Sequence, residues 1–236
     1  MRRIPLGVAD DGRLAVVRTR EGELVALDPR TGAVRWRRGR ALRPCAITAA
    51  AVVAFRWGDR VGPGIVVFDA ADGRELWDAA LPVPPDLPQP ALDDPSSFSL
   101  DCAAEGDAVL LRWGMRSGYR GGAAPAARVL AEQATDATGA VRIDLRARSV
   151  QPATPGDIHT LDEATSGERA RAAAPTSAPD VIDHARVGEL RLELAAPAGP
   201  TAGPVVLRGV DAAAGAVVWE VVLDEQAPRR PPPLRP

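Results

Sequence analysis

The chain is 236 residues long, 46% hydrophobic and 25% charged, with 29 basic residues against 31 acidic ones. That near-balance leaves no electrostatic footprint for nucleic acid or an anionic membrane. Two cysteines exclude a disulfide-stapled scaffold and a four-cysteine zinc site. Every basic residue is arginine and asparagine is absent, which removes the lysine-dependent phosphate loop and N-glycosylation. No apolar stretch reaches the length of a signal-peptide core or a membrane helix, so a cytoplasmic location without membrane contact is expected.

Short apolar runs with β-branched residues, bounded by Gly, Asp and Pro, predict strands in groups of four. The first group covers about 4–8, 13–19, 23–28 and 33–37. The second covers 46–49, 51–57, 64–69 and 74–79. A third takes 98–103, 108–115, 128–134 and 140–146, and a fourth takes 181–186, 189–194, 204–211 and 216–223. Between them, 82–95, 117–125 and 152–179 are rich in Pro, Gly or Ala and lack any period, which predicts loop insertions. Residues 157–167 look like a further hairpin with one extra residue and read equally well as loop. Residues 1–225 are thus expected to form one domain, and the Pro- and Arg-rich 226–236 a flexible tail.

Three segments share one spacing, apolar-Asp-x-x-x-Gly-x-x-x-Trp. They carry Ala26, Asp28, Thr31, Gly32 and Trp36; then Asp69, Gly73 and Trp77; then Asp211, Gly215 and Trp219. A weaker copy places Gly139 in the glycine position, with Thr135 for the Asp and Ile143 for the Trp. The physics of the unit follows from its residues. Asp opens a turn by accepting from backbone N–H groups two residues on, and Gly ends it at positive φ. Trp on the return strand supplies a large flat surface for packing one sheet on the next. Trp57 and Trp113 form a second register, Phe-Arg-Trp-Gly and Leu-Arg-Trp-Gly. Cys45 and Cys102 precede them by nearly equal steps, as small residues on equivalent inner strands.

This motif resembles the tryptophan-docking repeat of the pyrroloquinoline-quinone-like, or quinoprotein-like, β-propeller family. Ala26, Asp28, Thr31, Gly32 and Trp36 match it at every position. The resemblance implies an all-β propeller of four-stranded antiparallel blades. About four blades are recognisable where the family closes with seven or eight, so the ring is partial or degenerate, completed by a second copy, or a fragment of a longer one.

No catalytic, cofactor-binding or metal-binding set emerges. His159 and His184 lack partner spacing for zinc. Asp93 and Asp94 read as a solvated acidic pair. The cluster Arg35, Arg37, Arg38, Arg40 and Arg43 reads as a charged blade edge protected from pairing. The family's quinone enzymes use Asn or Glu ligands and often an adjacent-cysteine disulfide, and this chain has neither Asn nor a Cys-Cys pair. The expectation is a non-catalytic scaffold, or a module that binds a protein or small-molecule partner, with no cofactor. A quinone-dependent dehydrogenase is the alternative. An outer-membrane assembly lipoprotein would need an export signal and a lipidated cysteine near the start.

Overall fold

Four antiparallel sheets follow one another along the chain, and the Asp–Gly turns set their spacing. The computed structural model describes residues 13–19, 22–39, 41–57, 62–83, 98–116, 136–172, 181–187, 189–195 and 204–224. Blade 1 is β1 (Ala15–Arg18), β2 (Leu24–Leu27) and β3 (Val34–Arg38), paired in that order. The strand expected at 4–8 lies outside the described residues. Blade 2 is β4 (Leu42–Ile47), β5 (Ala51–Arg56), β6 (Gly64–Asp69) and β7 (Glu75–Ala80). Blade 3 is β8 (Phe98–Glu105), β9 (Ala108–Arg116), β10 (Asp136–Asp144) and β11 (Ser149–Pro152). After helix α1 (Pro155–Ala172), blade 4 is β12 (Val181–Val187), β13 (Leu190–Ala195), β14 (Val205–Asp211) and β15 (Val217–Asp224).

The order of the blades in space differs from their order in the chain. One apolar cluster joins blades 1 and 2 through Val16, Leu24 and Trp36 on one side and Val52, Val66 and Phe68 on the other. A second joins blades 2 and 3 through Phe55, Ile65, Leu111 and Ile143. A third joins blade 1 to blade 4, with Ala15, Val17 and Val25 against Leu192, Leu194 and Leu207. Strands buried on both faces explain why β1 and β2 read as unbroken apolar runs. The described sheets therefore form an arc, blade 4, blade 1, blade 2, blade 3. This is the expected all-β propeller architecture of four-stranded blades in partial form.

Two boundaries correct the sequence reading. β4 begins at Leu42, four residues before the expected start, and runs through Pro44. Proline is tolerated there because β4 is an edge strand, bulged between Pro44 and Ala46. In blade 3, Gly139 is not a turn glycine. It lies inside β10, opposite Trp113, and a Cβ there would sit 2.6 Å from the indole. The strand expected at 128–134 lies outside the described residues, and in place of the one expected at 140–146 there are a strand at Asp136–Asp144 and a return strand at Ser149–Pro152.

The true turn of blade 3 runs from Asp144 to Arg148. Asp144 Oδ1 accepts from the backbone N–H groups of Arg146 and Ala147 at 2.9 and 2.8 Å. Arg148 sits at φ +52°, in the place that Gly32, Gly73 and Gly215 hold elsewhere. A side chain in this left-handed region costs about 1–2 kcal/mol. Arg148→Gly is therefore expected to raise the unfolding free energy by about 1 kcal/mol once glycine's greater freedom in the unfolded chain is offset. Urea denaturation checks it.

Where irregular chain was expected over 152–179, Pro155–Ala172 form a helix of 18 residues. Its start is specified locally. Thr154 Oγ1 accepts from the Asp157 backbone N–H at 3.2 Å, while Asp157 Oδ2 accepts from the Thr154 N–H at 2.8 Å. This reciprocal capping box has proline at the first helical position. The helix packs on β8 and β9 and buries Leu161. Blade 3's Val109, Leu111 and Trp113 face blade 2, so strand alternation turns Leu110 and Arg112 to the opposite face. There Arg112 pairs with both Asp101 and Asp162. Arg142 pairs with Asp157 at 2.7 Å and Glu105 at 2.8 Å. Blade 3 thus ends the arc under a helix.

The hydrogen bonds from Thr154 hold the Asp157 carboxyl below its ordinary range against the opposing effect of burial, and Arg142 adds to the depression. A depressed carboxylate gives stability that is present above its unfolded value near 4 and lost as pH falls through the folded value. Asp157→Asn is expected to cost about 1 kcal/mol at pH 7, the usual worth of a cap. The difference from wild type should be smaller at pH 3 than at pH 7. Denaturation at the two pH values measures it.

Candidate functional site

The repeated element is a turn that receives an indole. In blade 1, Asp28 Oδ1 accepts from the Arg30 N–H at 2.9 Å, the Gly32 N–H donates to the Asp28 carbonyl at 2.8 Å, and Gly32 has φ +72°. Asp69 with Gly73 (φ +71°) and Asp211 with Gly215 (φ +68°) repeat this arrangement. Thr31 Oγ1 accepts from the Ala33 N–H at 3.3 Å. Burial acts to raise the Asp28 carboxyl, but backbone N–H groups and Arg35 prevail and leave it below its ordinary range. Asp211 is likewise lowered by the N–H groups of Ala214 and Ala213. These acids are engaged in turns.

The return strands show why Trp belongs four residues after the Gly. Ala26 pairs with Trp36, Val67 with Trp77 and Gly209 with Trp219, each next to a one-residue register shift. That bulge aims the indole out of its own sheet and over the neighbouring turn. Trp36 donates from Nε1 to the Ala70 carbonyl at 3.1 Å, and its ring lies 6.3 Å from Phe68. The same indole leaves 2.6 Å for a Cβ at Gly73. Trp219 donates to the Pro29 carbonyl at 2.9 Å and leaves 2.6 Å for a Cβ at Gly32. In both cases the acceptor is the residue just after the motif Asp. Trp36 is buried and Trp219 half-buried. Trp77 is half-buried against the cluster between blades 2 and 3, and no partner among the described residues takes its N–H.

The basic run dissolves into pairs. Arg35 meets Asp28, Arg37 meets Glu23, and Arg38 donates to the Gly73 and Asp72 carbonyls of blade 2. Arg40, Asp93 and Asp94 lie outside the described residues, as does the His184 side chain. His159 is exposed on α1 beside Glu163. Among the described residues no three His, Cys, Asp or Glu side chains gather to hold a metal ion, and no helix is long and apolar enough to cross a membrane.

Among the described residues, one motif turn is open. No heavy atom among the described residues lies within 4 Å of a Cβ built on Gly215. All five tryptophans of the chain are described, and none of them covers it. Beside this turn, β15 exposes Val217, Val218 and Val222 at 55%, 54% and 43%. The outer strands of blades 1 and 2 have Val34 and Glu75 where β15 has Val217, and Arg35 and Leu76 where it has Val218. Sequence spacing located this turn but not its vacancy, because the motif names a docking turn without naming its occupant.

The repeat geometry agrees with a comparison against protein families, in which residues 2–112 match the model of a PQQ-repeat family described as outer membrane protein assembly factor BamB. That match covers a little under half of the chain. The chain is similar to solved structures at low identity. BamB from Moraxella catarrhalis shares 16% identity over 94% of this chain and 64% of its own, with a TM-score of 0.35. Kuenenia stuttgartiensis hydrazine synthase shares 13% over 93% of this chain and 49% of its own, at 0.39. Saccharomyces cerevisiae Sqt1 shares 10% over 93% and 48%, at 0.36. The chain thus spans under two thirds of each of these proteins. No curated protein matches its sequence.

Proposed function

We propose that this PQQ-repeat segment is a non-catalytic propeller module that binds a protein partner through the open end of blade 4. The observation that carries the reading is the Asp211–Gly215 turn, which no described residue covers, beside exposed valines. It is built like the two turns that hold Trp36 and Trp219, with the Ala212 carbonyl in the acceptor position. Its natural occupant is an aromatic side chain, an indole above all, presented by another protein's strand. Among the described residues β15 is an edge strand, where a partner strand can add while Val218 and Val222 supply apolar contact. A second copy of the chain completing a ring is the special case in which the partner is identical. The same proposal carries the cytoplasmic expectation, which fractionation of cells bearing a tagged chain tests.

The test uses the full chain and a Val218→Glu, Val222→Glu double variant. Both positions are exposed, so the melting temperature should be unchanged. Proteins that co-purify with the wild type, or a dimer seen by size-exclusion chromatography, should be lost from the variant. An unchanged set of partners and an unchanged oligomeric state refute the reading. The dehydrogenase alternative is decided by adding the quinone with calcium. A saturable rise in melting temperature of several degrees, with dye-linked turnover, would replace binding by catalysis.

A further inference from the structure

Cys45 and Cys102 sit on β4 and β8, the first strands of blades 2 and 3, and these two strands pack on one another. Both side chains lie against the apolar cluster that the two blades share. Cys45 is the bulged residue of its strand, since Pro44 faces Ala54 and Ala46 faces Val53 with nothing opposite it. A bulge redirects the extra side chain, here into the seam between the blades. Cys102 stands in regular register opposite Leu111, on the face that meets blade 2. The two thiols are near enough to act on each other's ionisation. They are also the only cysteines in the chain.

We propose that Cys45 and Cys102 are an oxidant-responsive thiol pair that closes into a disulfide joining blade 2 to blade 3. The oxidant is a small-molecule disulfide such as oxidised glutathione. The Cys45 thiol loses its proton and attacks one glutathione sulfur, forming a mixed disulfide and releasing one reduced glutathione. Cys102 then loses its proton and attacks the Cys45 sulfur, releasing the second. Two protein thiols are oxidised, one glutathione disulfide is reduced to two thiols, and the protons leave on those products or to solvent.

The order of attack follows from the surroundings. Cys102 is pushed well up, first by the neighbouring Cys45 thiol and then by burial, which disfavours it as the first nucleophile. The Arg43 guanidinium favours the Cys102 thiolate needed in the second step. The Arg43 carbonyl, 3.7 Å from Cys45 Sγ, fixes the position of the first sulfur.

The experiment exposes reduced full-length protein to oxidised glutathione and follows it by intact mass and thiol titration. The wild type should lose both titratable thiols and two hydrogens, retain no glutathione and form no disulfide between chains. Closing so long a loop should raise the melting temperature by roughly 5–10 °C. Cys102→Ser should trap one glutathione on Cys45, and Cys45→Ser should react at least about tenfold more slowly. Persistence of both thiols in the wild type, glutathione on both cysteines, or disulfide-linked dimers overturns the proposal. The wild-type mass decides the matter even if a serine variant fails to fold.

Discussion

Replacing Trp36 by Ala is expected to lower the unfolding free energy by about 3–5 kcal/mol, the usual cost of emptying a buried aromatic site. The indole is 5% exposed, packs on Phe68 and donates to the Ala70 carbonyl of the neighbouring blade. Truncation leaves a cavity in the seam between blades 1 and 2 and strands a backbone acceptor. Gly73, whose surface the ring covers, is uncovered as well. Trp77→Ala should cost less, because that side chain is only half-buried. Urea denaturation at 25 °C ranks the two. A loss at Trp36 no larger than that at Trp77 would show that the apolar cluster holds the seam without the docked indole.

The motif glycines are expected to separate sharply when each is changed to Ala. All three have positive φ, which alone costs a residue with a Cβ about 1–2 kcal/mol. At Gly32 the new methyl would also meet the Trp219 ring at 2.6 Å. Displacing a docked indole adds overpacking of about 1–3 kcal/mol, so Gly32→Ala should cost about 2–5 kcal/mol in all. Gly215 has open space around it, and Gly215→Ala should cost only the conformational term. Equal losses at the two positions would mean that turn conformation, and not the indole above it, requires glycine.

The Asp–Gly–Trp units of blades 1, 2 and 4 were legible in the sequence because each residue answers a constraint that few others meet. Asp closes the turn, Gly takes φ near +70°, and Trp reaches the next blade. Blade 3 was misread because its turn places Arg148 where the others place Gly, and Pro152 where the others place Trp. The pattern then fell on Thr138-Gly139, where glycine is needed for a different reason, the Trp113 ring lying over it. Helix α1 did carry a signal, Thr154-Pro155-Gly156-Asp157, hidden among Pro and Ala that suggested loop. Matching positions of Cys45 and Cys102 were visible, but the bulge that turns Cys45 toward its partner was not. Nor can spacing say which turn a given Trp will find.

That last gap has a kinetic consequence. Trp219 and the Pro29 carbonyl it reaches are 190 residues apart. At a synthesis rate of about 5–20 residues per second, the first blade waits roughly 10–40 s for the strand that seals its outer face. During that interval Ala15, Val17, Val25 and Leu27 have no cover from blade 4. Such long-range closure slows folding and leaves an apolar sheet face open to aggregation on the ribosome. Moving blade 4 ahead of blade 1 by circular permutation would make the seam local and shorten that exposure.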